Sequence, residues 1–448
     1  MTRRSTVSFS VIDEAVHLLD TETAPWSIQL EVRVAGRLDD VCLRDAFARA
    51  LGVHPMARAR KAASSRREHT DRWEVTPEVD VDPLRVVDCA DDGAVARVRE
   101  ELQGIAVPLV ESPPLRARLV HNPGGDLLML NANHAAMDAI GALRVLRSVA
   151  MAYTDQVEPE DLGGPDPIEA RGWLGELTHA DDRTRARRRL ALAEKLSDVA
   201  LRPARVAPEG ASGVAGYGFH HVALSAPLSR ALVDLQHPGT VNDLLLAALH
   251  LAIAEWNGER GARCGRIGTL VPANLRPPEW RHDVVGNFSL PARVSTNRRH
   301  RRRPESTLGA LTAQTRRKKD VGLGTALLEV LERSHRLPLW AKQAMVMSMP
   351  LGGNRLVDTA MLSNLGPVTD PPSFGAEAGP TVEAWFSPPA RMPLGLTVGA
   401  VTLNGRLHLA FRYRHRLFDA NAAGLFAETL VAQVVDLVDR TAARSMAS

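Results

Sequence analysis

The stretch DLLMLNANHAAMDAIGALRVLRSVAMAY, residues 126–153, is where the reading of this chain begins. Its apolar opening has the length and character of a buried strand that closes on Asn133. A short loop follows, His134-Ala135-Ala136-Met137-Asp138, and from Ala139 to Tyr153 the apolar spacing is helical. Just upstream, Pro123-Gly124-Gly125 separates LRARLVH (115–121) from DLLMLNAN (126–133), which predicts a hairpin. The second half repeats the pattern. RLHLAFRYR (406–414) runs into His415-Arg416-Leu417-Phe418-Asp419 and then a last helix to about residue 439. Two lobes built on one supersecondary unit account for both copies.

Working outward, IQLEVRVAG (28–36) alternates as a strand and 38–51 has helical spacing. Residues 82–89 read as a short strand and 91–103 as a helix capped by Asp91 or Asp92. Residues 154–176, rich in Pro, Gly and acids, read as a surface connection; 181–201 reads as a charged amphipathic helix. RPARVAPEGASGVAGYG (202–218) is the best linker candidate. Beyond it, strands are expected at 219–225, 265–277, 357–364, 383–387, 394–402 and 406–414, with a buried, capped helix at 240–258. Mixed strands and helices favour α/β or α+β layers over an all-helical fold. The expected division is 1–180 as an N-terminal lobe carrying the HxxxD motif, 181–217 as helix and linker, and 218–448 as a C-terminal lobe.

Length agrees with two lobes, since 448 residues exceed one ordinary core. Hydrophobic residues make up 45% and charged residues 24%, the balance of a packed globular protein. A net charge of +3, with no cluster of stacking aromatics, gives no case for nucleic acid as a partner. Cys42, Cys89 and Cys264 stand far apart without metal-ligand spacing and read as reduced thiols, so no metal is expected and a cytoplasmic location is. The N-terminus meets Asp13 and Glu14 before any long apolar run, which does not fit a secretory signal. No stretch reads as the roughly 20 apolar residues that span a bilayer, so no transmembrane segment is expected, and peripheral membrane contact stays open.

Spacing alone does not make His134 a catalyst: with 15 histidines, about one accidental HxxxD is expected. Context separates the two copies. His134 follows an apolar strand and precedes small residues, so its ring can sit at a strand end in an accessible loop. His415 is crowded by Arg412, Arg414, Arg416, Leu417 and Phe418, and reads as structural, with Asp419 as a helix cap. Histidine, with an unperturbed pKa of about 6.5, suits the removal of a proton near neutral pH. Asp138 is too near in sequence to be assumed a triad carboxylate; it can turn away to pair with an arginine or cap the helix. No G-x-S-x-G elbow is present, which favours direct transfer over an acyl-enzyme.

These residues, with FSVIDEAVHLLD (9–20), LGVHPMARAR (51–60), TVNDLLLAALHLAIAEW (240–256), LVPANLRP (270–277), VVGNFSLPAR (284–293) and LSNLGPV (362–368), resemble successive blocks of one superfamily. It is the condensation-domain and chloramphenicol-acetyltransferase-like acyltransferases. The family signature is HHxxxDG, whose second histidine falls on His134 and whose aspartate falls on Asp138. Asn133 replaces the first histidine, and Ala139 replaces the glycine. The resemblance implies two chloramphenicol-acetyltransferase-like lobes arranged as a V-shaped pseudo-dimer, with a central tunnel passing His134. It implies that an acyl group moves from a thioester of CoA or a phosphopantetheinyl carrier protein to a small-molecule hydroxyl or amine. No permanently bound cofactor is implied. Asp138 is expected to serve catalysis beside His134, and Arg276 becomes its candidate partner across the lobes and a substrate-side residue. Ser363 and Asn364 become candidate hydrogen-bond donors to the thioester, and Asn133 a substrate-side residue. Asn287 reads as fixing its loop, and Asn242 and Asp243 as helix capping.

The leading expectation is a free-standing condensation-like acyltransferase of natural-product or lipid biosynthesis. A wax ester synthase/diacylglycerol acyltransferase is the alternative, on TVNDLLLAA and SNLGP. A non-catalytic carrier-protein-binding module is the alternative of another class, on Asn133 and Ala139. The basic runs NRRHRRRPES (297–306) and TRRKKD (315–320) read as a solvated face or as a site for phosphates, an acidic carrier protein or anionic lipid heads.

Overall fold

The expected hairpin forms around Gly125, whose φ of +103° is open to glycine and where a Cβ would lie 2.1 Å from the Val34 carbonyl oxygen. The structure, a computed structural model, describes residues 5–159, 165–179, 181, 183–190, 202–210, 214–235, 237, 239–280, 283–320, 322, 324–348, 355 and 357–447. In chain order its strands are β1 (Ser5–Ser8), β2 (Ser27–Val34), β3 (Ala59–Lys61), β4 (Arg72–Val75), β5 (Leu84–Asp88), β6 (Leu115–His121) and β7 (Leu127–Asn133). The second half adds β8 (Tyr217–Ala223), β9 (Ile267–Asn274), β10 (Ser289–Thr296), β11 (Ala360–Pro367), β12 (Thr381–Ser387), β13 (Leu396–Leu403) and β14 (Arg406–Arg414).

Two large sheets carry the lobes, with orders β12-β2-β7-β6-β5 and β10-β9-β11-β13-β14-β8. Four strands in each repeat the same wiring. In the first sheet β2–β7 and β7–β6 are antiparallel while β6–β5 is parallel. In the second, β8–β14 and β14–β13 are antiparallel while β13–β11 is parallel. The internal duplication suggested by the two HxxxD segments is therefore present in the topology. A small third sheet, β1-β4-β3, flanks the first lobe.

Each sheet buries one face under helices. In the first lobe, Leu43, Ala46, Phe47, Ala50 and Leu51 of the helix Asp40–Val53 pack with Ala142, Val145, Leu146 and Val149 of the helix Ala139–Tyr153. In the second, the helix Val241–Glu259 is buried almost throughout its first three turns, under a box in which Thr240 and Asp243 cap each other. The last helix, Ala420–Ala447, runs past its expected end near 439. It is long and apolar enough to cross a bilayer by length and composition only, and Ala422, Phe426, Leu430, Val434 and Leu437 spend its apolar face on the core.

The chain is less cleanly divided than expected. β12, from the C-terminal half, leaves its neighbours and pairs antiparallel with β2 at the edge of the N-terminal sheet. Leu275, Val284, Val285 and Phe288 also join the first lobe's core. Residues 203–207 of the expected linker form a packed strap, while 208–210 and 214–215 are exposed. Ala204, Val206 and Ala207 are buried, Ala207 N–H donates to Asn257 Oδ1 at 2.8 Å, and the Trp256 indole donates to the Ala207 carbonyl at 2.9 Å. Asn257 and Trp256 satisfy its backbone, which no composition rule foretells. Of the charged helix expected at 181–201, 183–190 is helical and 191–201 lies outside the described residues. The surface connection 154–176 includes a short helix, Gly172–Glu176, that buries Leu174.

Where β12 crosses β13 lies the tightest approach at any described glycine. A Cβ on Gly399 would lie 1.8 Å from the Phe386 carbonyl oxygen. Gly399→Ala is expected to cost about 2–4 kcal/mol through backbone displacement at this crossing, read as a lower urea midpoint. An unchanged midpoint would show that the crossing yields freely.

Candidate functional site

The site starts where β7 ends. Asn133 is buried and its amide is fully used: Nδ2 donates to Asp20 Oδ2 at 2.8 Å and to the Val107 carbonyl at 2.9 Å, while Oδ1 accepts from Ala135 N–H at 3.0 Å. Asn133 therefore holds the turn and is not the substrate-side group that the resemblance implied. The next residue is fixed from both lobes. His134 N–H donates to the Trp26 carbonyl at 3.0 Å, and the His134 carbonyl accepts from Asn287 Nδ2 at 2.7 Å.

The imidazole is half-buried, and its Nδ1 lies 3.2 Å from the Met137 carbonyl oxygen. A carbonyl can only accept, so this contact assigns the proton to Nδ1 and leaves the lone pair on Nε2. Nε2 makes no hydrogen bond with the described residues. Burial pushes the ring's pKa below 6.5, and this outweighs the opposing pull of the Asp138 charge and the Met137 carbonyl. The ring is thus held toward its neutral form, with Nε2 open.

Asp138 points away from that ring. Its Oδ1 accepts from Gly141 N–H at 2.9 Å, capping the helix, and from Arg276 Nη2 at 3.0 Å. Its Oδ2 accepts from Arg276 Nη1 at 2.6 Å and from Phe288 N–H at 2.9 Å. Burial opposes ionisation, yet the Arg276 charge and these donors leave the carboxyl below its ordinary range. Arg276 also donates to the carbonyls of Val284 and Gly286 and lies over the Phe288 ring at 4.7 Å. The cap and arginine-pair readings of Asp138 both hold. Both groups are spent on this closed pair, only 3% and 6% exposed, so neither the catalytic expectation for Asp138 nor the substrate-side expectation for Arg276 has a free polar group behind it.

Three positioning residues escaped the sequence reading. Gly141 lets the helix start come close to the 283–288 loop, since a Cβ there would lie 3.2 Å from both N and O of Gly286. Arg144 pairs with Asp283 at 3.2 Å on that loop and with Glu158 at 2.5 Å, and donates to Ser148 at 2.5 Å. His54 completes the set, 2.8 Å from Ser148 Oγ and held to a pKa of about 4 by burial and then by the Arg144 charge. Asn287, read as fixing its loop, does so through the His134 carbonyl. Only the motif spacing of His54 with its arginines offered a signal for this second network.

Ser363 and Asn364 lie on β11, opposite Gly399 and Ala400 of β13. Neither hydrogen-bonds His134 or Asp138, and Asn364 Oδ1 accepts from Gly366 N–H at 2.8 Å in a local turn. Their setting is still informative. β11 pairs with β9 only at Ala360 and Met361, so beyond Met361 the two strands share no ladder. β9 leads on to Arg276, so this parting sits on the route to the Asp138 pair. On the other side of Asn133 is a cavity of about 320 Å³ lined by His17, Asp20, Lys61, Val107 and Leu109 among others. Asp20 and Val107, which anchor the Asn133 amide, form part of its wall.

Breaking the buried pair leaves an unmatched charge. Arg276→Ala is expected to cost about 3–5 kcal/mol, and Asp138→Asn combined with Arg276→Met less than the sum of the single losses, read by urea unfolding. Because the Asp138 pKa is depressed, its contribution is present above the unfolded value of about 3.9 and disappears as pH falls through the lower folded value. Additive losses would remove the coupling.

No family model matches the chain. Over 432 residues, 94% of this chain and 97% of each relative, it is 35% identical to the uncharacterized proteins Rv2305 and MT2362 of two Mycobacterium tuberculosis strains, H37Rv and CDC 1551 / Oshkosh. Among solved structures it is similar to the epimerization domain from the third module of tyrocidine synthetase B (TM-score 0.70, 16% identity, covering 99% of this chain and 98% of that one). It is also similar to the first condensation domain of the calcium-dependent antibiotic synthetase in complex with a substrate analogue (TM-score 0.72, 14% identity, 97% of each chain). A third likeness is the EpoB cyclization-docking bidomain from Sorangium cellulosum (TM-score 0.69, 16% identity, 97% and 86%). The duplicated lobes, the His134 loop at their seam and these likenesses agree: the chain has the two-lobed fold of condensation domains, and it belongs to one family with the uncharacterized protein Rv2305.

Proposed function

We propose that this protein is a free-standing acyltransferase that moves an acyl group from a CoA or carrier-protein thioester to a hydroxyl or amine, with His134 as general base. One observation carries the reading: the Met137 carbonyl holds the Nδ1 proton and leaves Nε2 unpaired on a ring kept neutral by burial. Nε2 takes the proton of the attacking O–H or N–H as the new bond forms to the thioester carbonyl carbon. The tetrahedral intermediate then expels the thiolate, which receives that proton and leaves as a free thiol, giving an ester or amide. Ser363 and Asn364, beside the parted β9–β11 edge, are the side chains we assign to the thioester.

The two departures from the family motif are compatible with this chemistry. Asn133 performs the holding role with its own amide. Ala139 is the first residue of a helix, outside the positive-φ positions, so its Cβ fits. The thioester donors are those that the condensation-domain likeness suggests; the curated relatives name none.

The test is thiol release from a panel of acyl-CoA and acylated carrier-protein donors with alcohol and amine acceptors. His134→Ala is expected to lower kcat by about 10²–10⁴-fold with an unchanged unfolding midpoint; equal turnover would remove His134 as base. Since burial lowers the His134 pKa, wild-type kcat/KM should stay level through neutrality and decline only as pH falls, with a midpoint below 6.5. An acid limb centred above 6.5 would contradict that assignment.

A further inference from the structure

The helix Leu339–Ser348 has one face locked and one face bare. On the locked face, Lys342 is 1% exposed, and its Nζ donates to Glu14 Oε2 at 2.6 Å and to the carbonyls of His69 at 2.7 Å and His335 at 3.0 Å. On the bare face, Trp340 is 58% and Met347 79% exposed. Seven residues separate them, two helical turns, so they share a stripe. Leu337, also exposed, extends it at the N-terminal end.

Three arginines frame this stripe. The Trp340 N–H donates to the Arg66 carbonyl at 3.2 Å and the Leu339 N–H to the Glu68 carbonyl at 2.9 Å, which press the 65–69 turn against the start of the helix. His69 Nδ1 bonds the Arg336 carbonyl at 2.8 Å from the same turn. Arg66, Arg67 and Arg336 are all exposed, and none pairs with a carboxylate among the described residues. The acids close by are already engaged, Glu68 with Arg72 and Glu14 with Lys342.

An exposed indole beside a thioether and a leucine, with three exposed arginines around it and the adjacent Glu68 paired with Arg72, is the complement of a negatively charged lipid surface. Tryptophan settles at headgroup depth, the aliphatic groups reach below it, and each guanidinium is drawn by anionic headgroups. We propose that Arg66, Arg67, Arg336, Leu337, Trp340 and Met347 form a docking face for an anionic membrane. The face is rigidly mounted, because the Lys342–Glu14 pair fixes its helix to the helix Val11–Leu19 of the other half. The proposal does not depend on the acyl-transfer reading.

The full chain is sedimented with vesicles of phosphatidylglycerol mixed with phosphatidylcholine, and with phosphatidylcholine alone. At least tenfold stronger partition into the anionic vesicles is expected, weakening as salt rises. Trp340→Ser with Met347→Ser should reduce it at least tenfold, and Arg66→Ala with Arg67→Ala by roughly fivefold per charge. Unchanged unfolding midpoints confirm that these surface variants remain folded. Equal partition into both vesicles, no partition, or unaltered binding by the variants overturns the proposal. So does a concentration-dependent dimer that Trp340→Ser dissociates, which would assign the face to a second copy of the chain.

Discussion

The Asp138–Arg276 fork is the contact on which the rest of the site depends. Each charge is costly to bury alone, and each is acceptable here because the other meets it in bidentate geometry. The remaining valences are filled as well. Asp138 accepts from Gly141 and Phe288 N–H groups, and Arg276 donates to Val284 and Gly286 carbonyls. A network with every member satisfied has a single low-energy arrangement. That arrangement joins the start of the helix Ala139–Tyr153, in the first lobe, to the 283–288 loop, in the second. The His134 loop hangs from this joint, so both lobes set the position of one imidazole.

The two halves of the signature thus divide their labour. The aspartate works on architecture, and a main-chain carbonyl, Met137, sets the histidine's tautomer. The second HxxxD copy repeats the scaffold. Asp419 caps its helix through Ala422 N–H, as Asp138 does through Gly141. Among the described residues no arginine pairs with it, and His415 lies edge-on to Tyr413 at 5.9 Å. Duplication supplied two equivalent strand–loop–helix corners, and the seam between lobes made only one of them a candidate for proton transfer.

The parts legible in the sequence are those set by local periodicity. β6, β14 and the helix Ala139–Tyr153 appear at their expected bounds, because alternation or a continuous apolar stripe over seven or more residues leaves few other structures. The pairing of Arg276 with Asp138 was accessible only through the family resemblance, since nothing local links residues 138 residues apart. Less was legible where meaning depends on partners distant in sequence. β12 looks like any strand of the second half, but its place at the edge of β2 is decided by the exposed rim there. The strap at 204–207 has linker composition, yet Asn257 and Trp256 neutralise its backbone. Asn133 resembles a ligand-facing residue until its three hydrogen bonds are counted.

The placement of β12 also bears on how the protein is made. The N-terminal sheet is complete only when residues 381–387 arrive at β2, which ends at Val34. About 350 residues must be synthesised in between, roughly 20–70 s at ribosomal rates of about 5–20 residues per second. Throughout that interval β2 is a bare sheet edge with unpaired amides and carbonyls, the kind of surface that recruits stray strands. A nascent chain of this fold therefore carries an uncapped sheet edge through most of its synthesis.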